Sequence, residues 1–180
     1  MMLVLLFASA AALDGGLRRP PSVTAAFDGG NIEVVEACAA PRPGIDTEFT
    51  LRIKPDAYTR GTDETAHFQW FSFRASGVRG RRCRFVVENA GEASYADGWV
   101  DYRTAASYDR EDWWRVADTS YDGRELAWEL TPAADSVYFA YFAPYSWERH
   151  ADVVADLAAS PLCARPRGIR IPTDSGYGST

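Results

Sequence analysis

His67-Phe68-Gln69-Trp70-Phe71-Ser72-Phe73-Arg74, echoed by Ser136-Val137-Tyr138-Phe139-Ala140-Tyr141-Phe142-Ala143-Pro144-Tyr145, decides the fold of this 180-residue chain. In the first stretch Phe68, Trp70 and Ser72 alternate with Gln69, Phe71 and Phe73, so a strand of period two carries bulky apolar side chains on both faces. Such a strand is covered on two sides. Working outward, further candidate strands are Val23 to Phe27, Asn31 to Cys38, Glu48 to Lys54, Arg82 to Glu88, Trp99 to Arg103, Trp113 to Val116 and Glu125 to Leu130. Turn signals separate them, among them Asp28-Gly29-Gly30, Ser76-Gly77, Asn89-Ala90-Gly91, Asp97-Gly98 and Asp122-Gly123. About nine short strands with little helical periodicity between them predict an all-β fold, an antiparallel β-sandwich, with Trp70, Phe85 and Tyr138 in its core.

One helix follows the strands. Ser146 reads as its N-cap, Glu148 sits favourably in its first turn, and Trp147, Ala151, Val154 and Ala158 recur at helical spacing until Pro161 stops it. The expected organisation is a leader over residues 1–22, a domain over 23–160 in which the helix closes the sandwich, and an unstructured tail over 161–180. The paired glycines and prolines of residues 14–22 mark a linker. Leu3 to Leu13 is apolar but lacks a basic flank, and about eleven residues do not span a bilayer. A cytoplasmic chain is therefore expected, with secretion as the alternative.

Composition narrows the partners. The net charge of −6 and pI near 4.9 argue against nucleic acid or an anionic membrane. Arg79, Arg81, Arg82 and Arg84 are a local exception, but on an alternating strand they would divide between two faces rather than line a groove. The three cysteines, Cys38, Cys83 and Cys163, contain no C-x-x-C and are odd in number, which fits free thiols better than a disulfide framework or a zinc ribbon.

No catalytic constellation accompanies this framework. G-x-S-x-G, P-loop and G-x-G-x-x-G motifs are absent, and the acids Asp109, Glu111 and Asp112 form a turn cluster rather than a pair across a cleft. The only histidines are His67 and His150, and neither is followed by an acid three residues on, as a His-x-x-Glu zinc site requires. Catalytic, cofactor and metal residues are thus all expected to be lacking. Adjacent Trp113 and Trp114 point to opposite faces, which leaves a carbohydrate- or protein-binding β-sandwich module as the alternative class.

Several ordered stretches resemble the N-terminal domain of the cytosolic carboxypeptidases, a branch of the zinc metallocarboxypeptidases that includes tubulin deglutamylases. Phe27-Asp28-Gly29-Gly30-Asn31 looks like the family's "F-x-x-G-N", Leu51 to Asp56 like its "L-x-x-R/K-P-D" strand end, and Phe68 to Phe73 like its "Q-W-F-x-F" strand. Arg84-Phe85-Val86-Val87-Glu88-Asn89 and the Trp114-Arg115-Val116 step follow in order, and Tyr138 to Tyr145 resembles the "V-Y-F-A-Y-x-x-P-Y" signature. On this resemblance Phe68, Gln69, Trp70, Phe71, Phe73, Tyr138 and Phe139 are family-motif core residues. The resemblance also implies a β-sandwich that does no chemistry itself and packs against a zinc-bearing catalytic domain, which this sequence does not contain. That domain is the expected partner and would carry the zinc. Protein tails such as tubulin's would be the substrate. Tyr141, Pro144, Tyr145 and Trp147 are the expected docking surface, since three rings and an apolar helix stripe lie within seven residues, with burial of the same residues in the sandwich by a folded-back helix as the alternative.

Overall fold

The computed structural model describes residues 19–56 and 67–160. Period-two burial is cleanest in β3 (Ile45–Arg52), where Ile45, Thr47, Phe49 and Leu51 point inward and Asp46, Glu48, Thr50 and Arg52 do not. With the buried aromatic and aliphatic side chains of β4 (Ser72–Ser76), β5 (Cys83–Val87), β9 (Leu126–Leu130) and β10 (Ser136–Ala140), it builds two apolar faces that must cover each other. One five-stranded sheet has the order β1-β4-β10-β6-β7, with β1 Ser22–Thr24, β6 Ala105–Ser107 and β7 Trp114–Arg115. The other runs β2-β3-β5-β9-β8, with β2 Glu33–Arg42 and β8 Thr119–Tyr121. The fold is the expected β-sandwich.

Its core is aromatic. Phe49, Phe85 and Trp128 from one sheet meet Phe71, Phe73 and Phe139 from the other, with ring centroids 4.7 Å apart for Phe85 and Phe139 and 5.9 Å for Phe71 and Trp128. Each such ring removes roughly 150–250 Å² from water, or about 4–6 kcal/mol of transfer free energy, so these six dominate the burial.

Four details differ from the sequence reading. The β3–β5 pair is parallel, because the intervening β4 lies in the opposite sheet and the chain returns in the same direction. Trp99 to Arg103 is not a strand: Ala96–Trp99 is a 3₁₀ turn that drives Trp99 fully into the core, its indole N–H donating to the Ala90 carbonyl at 2.9 Å. The ladder of β4 begins only at Ser72, since residues 68–70 spend their hydrogen bonds on loops instead. Lastly, Phe85 is buried as expected but Trp70 and Tyr138 are only half-buried. Phe71, Phe73, Val137 and Phe139 take the inner face, which leaves Trp70 and Tyr138 the outer one. That outer face is itself covered at Tyr138, where Phe27 packs edge-on at 5.9 Å and the Arg110 guanidinium stands 5.5 Å from the ring centre. Beyond these four, the three-residue strands β6 and β8 have no counterpart among the expected strands, because runs so short carry too little periodicity to register.

A second unit begins at Pro144. It contains α1 (Trp147–Ala159), capped by Ser146, whose hydroxyl accepts from the Arg149 N–H at 3.2 Å. No residue of α1 is buried.

Candidate functional site

The titratable groups with perturbed acidity serve the fold. Asp109 is held below the usual carboxylate range by the backbone N–H groups of Glu111 and Asp112, and Asp122 by those of Glu125 and Arg124. Both are turn builders. Burial, with help from Asp46, pushes the Cys83 thiol up to about 11, and burial also raises the Tyr102 phenol despite the nearby Arg115. A nucleophile needs the opposite shift. His67 faces the Ser94 hydroxyl at 3.2 Å and His150 lies on α1 beside Tyr145, so the two imidazoles belong to different units. Among the described residues no three His, Cys, Asp or Glu side chains gather as a metal site. Nor do Trp113 and Trp114 form an exposed row: both are half-buried, Trp113 bonded to the Arg110 carbonyl and Trp114 packed on Tyr108 at 4.9 Å.

The motif residues instead concentrate at one end of the sandwich, where β4 begins and β10 ends. Asn31 donates to the carbonyls of both Lys54 and Trp70, at 2.9 and 3.0 Å, and the Trp70 indole donates to the Gly29 carbonyl at 2.7 Å. Gly30 makes this possible, because a Cβ there would stand 2.1 Å from the Ala25 carbonyl oxygen. The Gln69 side chain pairs with both main-chain groups of Tyr95, and Ser94 does the same service for Phe68. At the exit of β10 the Tyr141 carbonyl accepts from the Tyr102 hydroxyl at 2.6 Å and from Arg115 at 3.0 Å. Three strand ends are thus tied together by side-chain-to-backbone bonds, which fixes where the chain leaves the sandwich.

The expected docking residues divide. Tyr141 is half-buried against Trp99 and Tyr102, with centroids 5.2 and 5.4 Å away, so it is chiefly a packing residue. Phe142, not singled out from sequence, is 51% exposed and leans on Trp70 at 5.0 Å. Tyr95, also missed, is exposed. The parity of β10 is the signal that could have found Phe142, since Phe139 and Tyr141 point inward and their neighbour does not. Pro144, Tyr145 and Trp147 lie in the second unit, where Tyr145 and Trp147 are exposed and both rings contact His150. Phe68, Gln69 and Trp70 are half-buried clamps at the end just described, while Phe71, Phe73 and Phe139 are fully buried. Of the arginines, Arg82 and Arg84 pair with Glu129 and Glu48 on one sheet face, whereas Arg79 and Arg81 precede β5 and, with Arg19, do line a cleft.

The described residues thus form a two-sheet β-sandwich with aromatic strand ends and a chain exit pinned at the end of β10. Residues 23–142 match the family described as "Cytosolic carboxypeptidase N-terminal domain". The chain belongs to that family. It is 39% identical to a metallo-carboxypeptidase from Burkholderia cenocepacia, with a TM-score of 0.67 over 79% of this chain and 34% of that one. A Pseudomonas aeruginosa metallo-carboxypeptidase, solved with (2-guanidinoethylmercapto)succinic acid, is 38% identical with a TM-score of 0.62, over 76% and 33%. An uncharacterised protein of Zymomonas mobilis is 40% identical over 136 residues, 76% of this chain and 32% of its own length. The chain thus spans about a third of these relatives. Among the described residues no helix is long and apolar enough to cross a membrane.

Proposed function

We propose that this chain is a non-catalytic accessory domain that supports the folding of a zinc metallocarboxypeptidase domain and shapes access to it, in the cytoplasm. The observation that carries the reading is Phe142: an aromatic side chain half exposed at the last residue of the family match, on a chain exit held by Tyr102, Arg115 and Trp70. A half-exposed ring costs little to hold in water but gains on being covered, and a pinned exit presents it in one orientation. The metallo-carboxypeptidase relatives are about three times as long as the stretch this chain matches, so the reading assigns the chemistry to their other two-thirds. Removal of C-terminal residues, glutamates of tubulin-like tails included, would then belong to the partner domain.

Grafting tests this. Residues 23–142 replace the corresponding third of the Burkholderia cenocepacia relative, and release of C-terminal residues from peptides is assayed. The graft should be soluble and active, and the same graft with Phe142→Ser and Trp70→Ser should lose yield of soluble enzyme. If the relative with its N-terminal third deleted proves as soluble and active as the intact enzyme, the accessory role is wrong.

A further inference from the structure

Three arginines outside the ion-paired sheet face converge on one cleft at the turn between β4 and β5. This turn passes through Gly77 and Gly80 in the left-handed region, at φ 74° and 67°. A Cβ on Gly77 would stand 2.9 Å from the carbonyl oxygens of Arg19 and Pro20, so the glycine lets the N-terminal segment lie across the turn and brings Arg19 beside Arg79 and Arg81. From the other side the Val78 N–H donates to the Asp135 carbonyl and the Gly80 N–H to that of Pro132, at 3.3 and 2.8 Å. Between them lies a cleft of about 210 Å³ lined by Arg19, Gly77, Arg79, Arg81 and Asp135.

The cleft carries an excess of positive charge. Arg42, Arg52, Arg82 and Arg84 each meet a glutamate within 3.1 Å or less. Among the described residues, no carboxylate ion-pairs with Arg19, Arg79 or Arg81. Three arginines against one acidic residue line the cleft on a chain of net charge −6, so an anion seated there relieves their like-charge repulsion. Guanidinium forks match phosphate and carboxylate oxygens in pairs. We infer that the Arg19–Arg79–Arg81 cleft binds a small oxyanion, a phosphate or carboxylate group. At roughly 30 Å³ for each water displaced, the cleft seats one small ligand rather than a folded surface. Asp135 at its wall opposes a second anion. The site is independent of the docking end described above.

The test is a titration of the full 180-residue chain with inorganic phosphate and, separately, with citrate, at constant ionic strength, followed by amide NMR and thermal melting. Saturable shifts centred on the Gly77 and Gly80 amides with a rise in melting temperature are expected. Saturation by phosphate alone identifies a phosphoryl ligand, and saturation by citrate alone a carboxylate one. Arg79→Gln and Arg81→Gln should each weaken binding about tenfold, as loss of one charge-assisted contact does. Asp135→Asn should strengthen it, a gain that a misfolded variant would not give. Arg82→Gln, whose parent residue pairs with Glu129, should leave it unchanged. No saturable shift with either anion, or equal weakening by Arg82→Gln and Arg81→Gln, overturns the inference.

Discussion

Asn89 joins two strand ends where the main chain alone cannot. The last backbone bond between this segment and β3 is from the Glu88 N–H to the Leu51 carbonyl, at 3.0 Å. Beyond it the Asn89 side chain accepts from the Ile53 N–H at 2.9 Å and donates to the Ile53 carbonyl at 3.0 Å, while being only 4% exposed. Asn89→Ala strands both main-chain groups of Ile53 in a dry site. Each costs about 1–3 kcal/mol, so the loss is about 2–6 kcal/mol out of a total stability of roughly 5–15 kcal/mol. A domain of this size should then melt about 10–20 °C lower. Asn89→Asp separates hydrogen bonding from packing. Its carboxylate keeps the shape but cannot donate to the Ile53 carbonyl, and burial raises its folded-state pKa above the usual value near 3.9. A protonated Asp retains the donor, so its stabilisation is present below that ordinary value and lost as pH rises through the raised one. Urea denaturation followed by far-UV circular dichroism, at several pH values, measures both variants. A cost below about 1 kcal/mol for Asn89→Ala, or an Asn89→Asp deficit that does not grow with pH, would refute the clamp.

Further outcomes follow from other residues. Phe85→Ala removes the ring shared by Phe49, Phe73, Trp128 and Phe139 and should cost about 3–5 kcal/mol in equilibrium denaturation. Gly30→Ala should destabilise and shift the Trp70 indole resonance in NMR, since the added carbon collides with the Ala25 carbonyl. Ser146→Ala should cost α1 about 1 kcal/mol, read as lost helicity by circular dichroism while the sandwich melting point holds. With its thiol raised to about 11, Cys83 should resist alkylation at pH 8 in the folded chain while Cys38 reacts, as peptide mapping can score. Because Cys83 holds its proton more tightly when folded, it favours the fold below the ordinary thiol range, and that contribution is lost as pH climbs toward 11.

Much of the architecture is legible in side-chain alternation. Wherever a strand is long and one face is buried, as in β3 and β10, period-two reading finds it, and Ser146 shows as clearly in sequence as in its hydrogen bond. Reading stops where context outweighs pattern. Trp99 has the composition of a strand residue, yet Asp97-Gly98 folds back and Tyr95 packs over Gly98, where a Cβ would come within 2.5 Å of the ring. Trp70 and Tyr138 are as apolar as the core rings, and only the parity of their neighbours puts them outside it. At the end of β10 the sequence does not tell two adjacent aromatics apart: whether Tyr141 or Phe142 turns inward depends on Trp99 and Tyr102, supplied forty residues away. The arginine cleft could not be read at all, since Arg19 reaches Arg79 only through the chain crossing at Gly77.

Titrating the chain calorimetrically into the separately produced C-terminal two-thirds of the Burkholderia cenocepacia metallo-carboxypeptidase tests the accessory-domain account most directly. With 51% of Phe142 exposed, covering the remainder buries roughly 100 Å², or about 2.5 kcal/mol, so Phe142→Ser should weaken a one-to-one complex about fiftyfold. Arg82→Gln should bind as the parent chain does. Absence of any complex with the parent chain, or equal affinity for the parent and Phe142→Ser, would contradict the account.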